Sequence, residues 1–127
     1  FLLVRYLLSY RALKSGYIVF IEKESRVIHE HSKGTIRTKF SSKTVKKIAY
    51  RNQFIFVWKN ITQMSLLLSH IVWLPYHFVK AFLRGDWLFF SGFCSAVVRL
   101  PIILSSRIKA ERLFIRTDSQ ILEHYRR

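Results

Sequence analysis

Tyr50-Arg51-Asn52-Gln53-Phe54-Ile55-Phe56-Val57-Trp58-Lys59-Asn60 is the stretch on which the reading of this chain turns. Placed at 100° per residue, Asn52, Lys59 and Gln63 fall along one polar line. Phe54, Val57, Ile61 and Leu68 fall on the opposite side. That pattern predicts an amphipathic helix with a wide aromatic face. Ser41-Ser42 or Thr44 can cap it, because a hydroxyl there accepts from an otherwise unpaired amide of the first turn.

Downstream come two strongly apolar runs. Ser65 to Phe82 is interrupted by His70, Pro75, His77 and Lys80 and closed by Arg84-Gly85-Asp86. Trp87 to Val98 is closed by Arg99 and Pro101. A membrane-crossing helix needs about 20 apolar residues with few charges. Neither run meets that standard cleanly, so helices lying in the membrane plane, or re-entering it, are expected, with a kink at Pro75. A basic helix from Ile102 to about Arg112 should follow, carrying Arg107, Lys109 and Arg112 near its surface. Thr117-Asp118-Ser119-Gln120 reads as a capping box opening a short last helix.

Upstream, Tyr6 to Lys14 has helical spacing and Gly16 falls where a C-capping glycine belongs. Tyr17-Ile18-Val19-Phe20-Ile21 and Arg26-Val27-Ile28-His29 read as two short strands. The expected fold is therefore mainly α with a small β element. Residues 1–32 would be the edge of a domain whose other strands lie elsewhere, and residues 33–127 a basic, aromatic-rich amphipathic helical region that associates with membrane. The start at Phe1, inside an apolar run, is expected to continue something longer.

Composition narrows the partners. The chain has 127 residues, half of them hydrophobic, with 22 Lys and Arg against 7 Asp and Glu and a formal charge of +15. Such charge seeks phosphates or anionic head groups. Nucleic-acid binders are usually basic and polar, whereas this chain adds long aliphatic and aromatic runs, so no nucleic-acid partner is expected. The mixture suits the bilayer interface, where aromatic rings and Lys/Arg stems sit at head-group depth. Trp58, Trp73, Tyr76 and Trp87 are either interfacial anchors or helix–helix core; Arg84, Arg99, Arg107, Lys109 and Arg112 are the candidate cations of that interface. Arg51, Asn52 and Lys47, the last four residues before Arg51, either bind a diphosphate or an acceptor or form a solvated basic face. The single cysteine, Cys94, lies in an apolar stretch and reads as a buried structural thiol.

Several phrases occur in an order that resembles a known family. Leu8-Ser9-Tyr10-Arg11-Ala12, then Gly16-Tyr17, two expected strands and His29, resemble the end of the catalytic domain of family 2 glycosyltransferases, nucleotide-sugar-dependent enzymes of the GT-A fold. Tyr50-Arg51-Asn52-Gln53 with Lys59-Asn60 is similar to that family's Tyr-Arg-Asn-x-(apolar)-Lys-Asn helix. Thr117-Asp118-Ser119-Gln120-Ile121-Leu122 is similar to the close of bacterial members that modify surface polysaccharides. The resemblance runs from about Leu8 to Leu122.

It implies the C-terminal portion of an enzyme that transfers a sugar from a nucleotide-sugar donor to a lipid-linked or cell-surface polysaccharide acceptor. That enzyme would work at the cytoplasmic face of the cell membrane, bound peripherally or monotopically, with the absent N-terminal catalytic domain and an anionic membrane surface as partners. It also implies Mg or Mn and the nucleotide-sugar for the full enzyme, none of them held by this portion, and a place for His29 at the metal-diphosphate site; His31 reads as structural. The family's acidic stretch would fall at Val4-Arg5-Tyr6-Leu7-Leu8, which has no carboxylate to take the acceptor's proton. The Asp-x-Asp motif is missing as well, so this portion alone is expected to be inactive. A small basic membrane-associated or integral helical protein without enzymatic activity is the alternative.

Overall fold

The computed structural model describes residues 2–20, 22, 24 and 39–124. These are mainly helical, in six helices: α1 (Leu2–Lys14), α2 (Ser42–Asn60), α3 (Met64–Leu83), α4 (Trp87–Val97), α5 (Leu100–Glu111) and α6 (Asp118–His124).

Local chemistry sets most of the boundaries. Ser41, in extended conformation, accepts from the Thr44 amide at 3.2 Å and so caps α2. α1 ends in a Schellman motif: Tyr17 N–H donates to Ala12 O and Gly16 N–H to Leu13 O, with Gly16 at φ +88°. The same pattern closes α3, where Asp86 N–H reaches Ala81 O, Gly85 N–H reaches Phe82 O, and Gly85 stands at φ +62°. The expected capping box opens α6: Thr117 N–H donates to Gln120 Oε1 at 2.9 Å and Gln120 N–H donates back to Thr117 Oγ1 at 3.3 Å. α3 runs through Pro75 as one element; lacking an N–H, Pro75 leaves the Ile71 carbonyl without its helical partner.

The strand expected at Tyr17–Ile21 does not form. Tyr17 to Phe20 is loop, with Tyr17, Ile18 and Phe20 all exposed. A β-branched, aromatic run becomes a strand only against a neighbouring strand, and the described residues offer none. An edge of a GT-A sheet is therefore unsupported. The second expected strand, with His29 and His31, lies outside the described residues.

α2 is the axis of the bundle, packing mainly on α4, then on α5, with α1 on another side. Its contact with α4 is backbone-close at Gly92. A Cβ there would stand 2.7 Å from Tyr50 Cβ and 3.1 Å from both Arg51 N and Lys47 O. Around that crossing the core is aromatic. Phe54 meets Phe89, Phe93 and Trp58 at centroid distances of 5.6, 5.2 and 5.6 Å, and Phe78 of α3 meets Phe93 at 4.9 Å. Each such pair adds about 0.5–1.5 kcal/mol beyond area burial. α4 and α5 are bent by 63° at the break before Leu100.

Candidate functional site

The most polar locus is where α1, the α2–α3 turn and the start of α6 meet. Lys14 and Asp118, both with no exposed surface, are 2.7 Å apart. Lys14 Nζ also donates to Asn60 O at 2.8 Å and to Thr62 Oγ1 at 2.7 Å, which uses all three ammonium protons. Asp118 Oδ1 further accepts from the Tyr10 hydroxyl; Oδ2 accepts from the amides of Thr62 (2.8 Å) and Gln63 (2.7 Å) and from the Thr62 hydroxyl (3.2 Å). Nearby, Gln63 Oε1 accepts from the amide and hydroxyl of Ser119, and the Phe114 ring lies 4.5 Å from Lys14 Nζ.

Burial pushes the Lys14 ammonium below its ordinary pKa, against the pull of Asp118. Burial also acts to raise the Asp118 carboxyl, but bonds from Lys14, Tyr10, Gln63 and Thr62 outweigh it and hold the group below its usual value. Tyr10 is raised, by burial and then by its bond to Asp118. With every donor and acceptor of the pair engaged, the cluster has no free group for substrate chemistry. It is a clasp. Tyr10, Asn60 and Asp118 come from the three separate phrases that carry the family resemblance, so those phrases meet in space.

The other notable surface is apolar and outward. α3 has only 6% of its apolar window buried. Leu68, Ile71, Val72, Val79, Phe82 and Leu83 are 54–78% exposed and share one side of the helix. Trp73 (56% exposed) and Tyr76 (51%) stand at the edge of that stripe, 5.6 Å apart, and Lys80 Nζ lies 5.4 Å from the Tyr76 ring centroid. Tyr76, Val79, Lys80, Leu83 and Arg84 line an open depression of about 280 Å³, in which two cations face apolar walls. Trp87, Val97 and Val98 on α4 and its C-cap, and Ile102, Leu104 and Ile108 on α5, are exposed as well.

The sequence-predicted residues divide between these settings. Lys47 and Arg51 lie on α2 at the Gly92 crossing. Arg51 Nε and Nη2 donate to Asn52 Oδ1 at 3.2 and 3.1 Å, and burial, then the nearby Arg99 charge, lowers the Arg51 pKa. Trp58 is half-buried, packed on Phe54 and Phe93. Arg107 turns inward, donating to Trp58 O at 2.9 Å and pairing with Glu111 at 2.8 Å. Arg84, Arg99, Lys109 and Arg112 are exposed, as are Trp73, Tyr76 and Trp87; Arg99 donates to Ser95 O and Oγ. Cys94 is exposed, not buried as expected: α4 sets Gly92 and Ala96 against the bundle, and position 94 falls on the other side.

Sequence reading missed the Lys14–Asp118 pair and the Lys46–Asp86–Tyr50 group, in which Asp86 Oδ2 accepts from both partners at 2.8 and 2.6 Å. In the sequence, Asp86 stands in the Arg84-Gly85-Asp86 close of an apolar run and Asp118 inside the Thr117–Gln120 capping box. The described residues contain no group of three His, Cys, Asp or Glu side chains able to hold a metal. Their two buried or half-buried aspartates are already engaged, so the Mg or Mn implied by the resemblance has no fitting donor set here. No protein-family model, curated protein or solved structure matches the chain.

Proposed function

We propose that the helical region is a membrane-docking module, seated on the cytoplasmic leaflet through the outward side of α3. The observation that carries this reading is the unbroken exposed apolar stripe of α3 with Lys80 and Arg84 beside it. Water penalises such a stripe by about 25 cal/mol per Å² of apolar surface, and a bilayer interface removes the penalty. Anionic head groups then contribute about 1 kcal/mol per nearby Lys or Arg.

The enzymatic context comes from the resemblance alone. In it, the module is the C-terminal portion of a bacterial family 2 glycosyltransferase, holding the catalytic domain near a lipid-linked or cell-surface polysaccharide acceptor. The absent domain would supply the nucleotide-sugar and metal sites. The meeting of Tyr10, Asn60 and Asp118 supports treating the three phrases as one unit.

Flotation with vesicles tests the docking. Salt-sensitive flotation with anionic but not neutral vesicles is expected; a chain that stays at the bottom in every condition overturns the reading. For the enzymatic context, the DNA upstream of the Phe1 codon should encode an Asp-x-Asp-bearing domain in the same or a shifted frame. A second reading, an integral helical protein without enzymatic activity, is favoured by α3, whose 20 residues include an 18-residue window of mean hydropathy 1.4, enough to cross a bilayer. It predicts salt-resistant flotation with both kinds of vesicle.

A further inference from the structure

The geometry points to α3 and α4 forming one apolar raft that lies parallel to the bilayer within a single leaflet, with Cys94 facing the acyl chains. This rests on the membrane-docking reading and adds orientation and depth to it.

Four observations converge. First, the exposed stripe of α3 runs from Leu68 to Leu83, nearly the full helix, which is about 30 Å long at 1.5 Å per residue. Second, the opposite side of α3 is already covered by protein: Ala81 is buried, Phe78 meets Phe89, Phe90 and Phe93, and His70 packs on Phe54. If α3 crossed the bilayer, α4 and α2 would follow it into hydrocarbon. α2 carries Lys43, Lys46, Lys47, Arg51 and Lys59, and cations at that depth are strongly disfavoured. Third, Trp73 and Tyr76 sit midway along α3. Aromatic anchors belong at head-group level, so a mid-helix position fits an axis parallel to the surface. Fourth, the stripe continues around the Gly85 turn. Phe82 meets Trp87 at 6.0 Å, and Trp87 meets Phe90 at 5.7 Å. Beyond Phe90, Cys94 and Val97 keep the outer side of α4 exposed.

The occupant is lipid and not a second copy. Two copies would bring +15 against +15 across the contact, whereas anionic head groups complement that charge.

The test uses nitroxide labels on the full chain with vesicles of equal parts phosphatidylcholine and phosphatidylglycerol. The unaltered protein offers Cys94 as its one thiol. In a Cys94→Ser background, single cysteines replace Leu68, Val72, Val79 or Leu83, all exposed, so the bundle is left intact. Circular dichroism confirms helicity for each variant. Accessibility to oxygen relative to a water-soluble nickel chelate reports depth. The expected result is a several-fold rise in that ratio on vesicle binding, with all five sites at one shallow depth, about 5–10 Å below the head groups.

A profile that deepens toward Val72 and Val79 and becomes shallow again at Leu83 means that α3 crosses, and overturns the raft while leaving membrane association intact. Labels already shielded without vesicles, together with a doubled mass, mean that a second copy covers the face, which also overturns it. Absence of vesicle binding, with Cys94 freely water-accessible throughout, overturns the docking reading and the raft together.

Discussion

The two ends of the polarity scale are inverted in this molecule. At the clasp, an ammonium and a carboxylate are fully buried, while along α3 apolar side chains more than half exposed run for about four turns. The contrast separates two uses of the same solvent rule. Burying a charge is tolerable where protein supplies every partner, as Asn60, Thr62, Gln63 and Tyr10 do around Lys14 and Asp118. Leaving an apolar surface bare is tolerable where something other than water meets it. The clasp is complete within the chain. The stripe is not.

Substitutions should therefore act oppositely at the two regions. Asp118→Ala leaves the Lys14 ammonium buried without a counter-ion and should cost about 3–5 kcal/mol, read from urea unfolding. Replacing Lys14 by Met as well should recover only part of this, because the Thr62 and Gln63 amides remain without an acceptor. The folded Asp118 pKa lies below its ordinary 3.8. Its stabilisation is thus present above that value and lost as pH falls through the folded pKa. Acid unfolding of the Asp118→Asn protein should lack this component, and an unchanged acid limb would remove Asp118 from the account.

Val72→Asp should do the reverse. Stability should stay within about 0.5 kcal/mol, since the side chain touches water already. Vesicle partitioning should weaken about 10- to 100-fold, from the roughly 1.5–3 kcal/mol that one aliphatic side chain contributes on burial. A large loss of stability instead would mean that the stripe is covered by protein. Helix α4 tests both sides of the contrast at once. Gly92→Ala should cost about 1–3 kcal/mol by forcing α4 away from Tyr50 and Arg51, while Cys94→Ala, two residues on, should leave urea unfolding unchanged. The smallest effect is electrostatic. Lys80→Gln or Arg84→Gln should weaken binding to anionic vesicles by about 1 kcal/mol each at low salt and leave neutral vesicles unaffected.

What was legible in the sequence was local. Ser41 as the cap of α2, Gly16 as the close of α1 and the Thr117–Gln120 capping box each depend on residues within one turn, and each formed. Phe54 belongs to the apolar face expected of that helix and is buried at 6% exposure, whereas Leu68, expected on the same face, lies on α3 and is exposed. What was not legible depended on distant partners. Lys14 meets Asp118 across 104 positions, and no spacing rule announces such a pair. Asp118 lies inside the Thr117–Gln120 capping box, a local signal that says nothing of a partner at Lys14. Tyr17–Phe20 had the composition of a strand without a neighbour to make it one. The expected single polar line from Asn52 to Gln63 breaks because α2 ends at Asn60, and Gln63 turns to Ser119. Cys94 was judged by its apolar neighbours, whereas its exposure follows from which side of α4 the glycine took.

The clasp also has a consequence in time. A chain leaves the ribosome from its N-terminus at about 5–20 residues per second, so Lys14 waits about 5–20 seconds for Asp118, 104 positions later. Until then its ammonium has hydroxyl and carbonyl partners on offer but no counter-ion, and water competes well for it. Helix α1 can form early, yet its docking waits until residue 118 has been made. Meanwhile α2, α3 and α4, which bring their own aromatic partners, are already made. The exposed apolar stripe of α3 can thus be assembled before Lys14 is locked against Asp118.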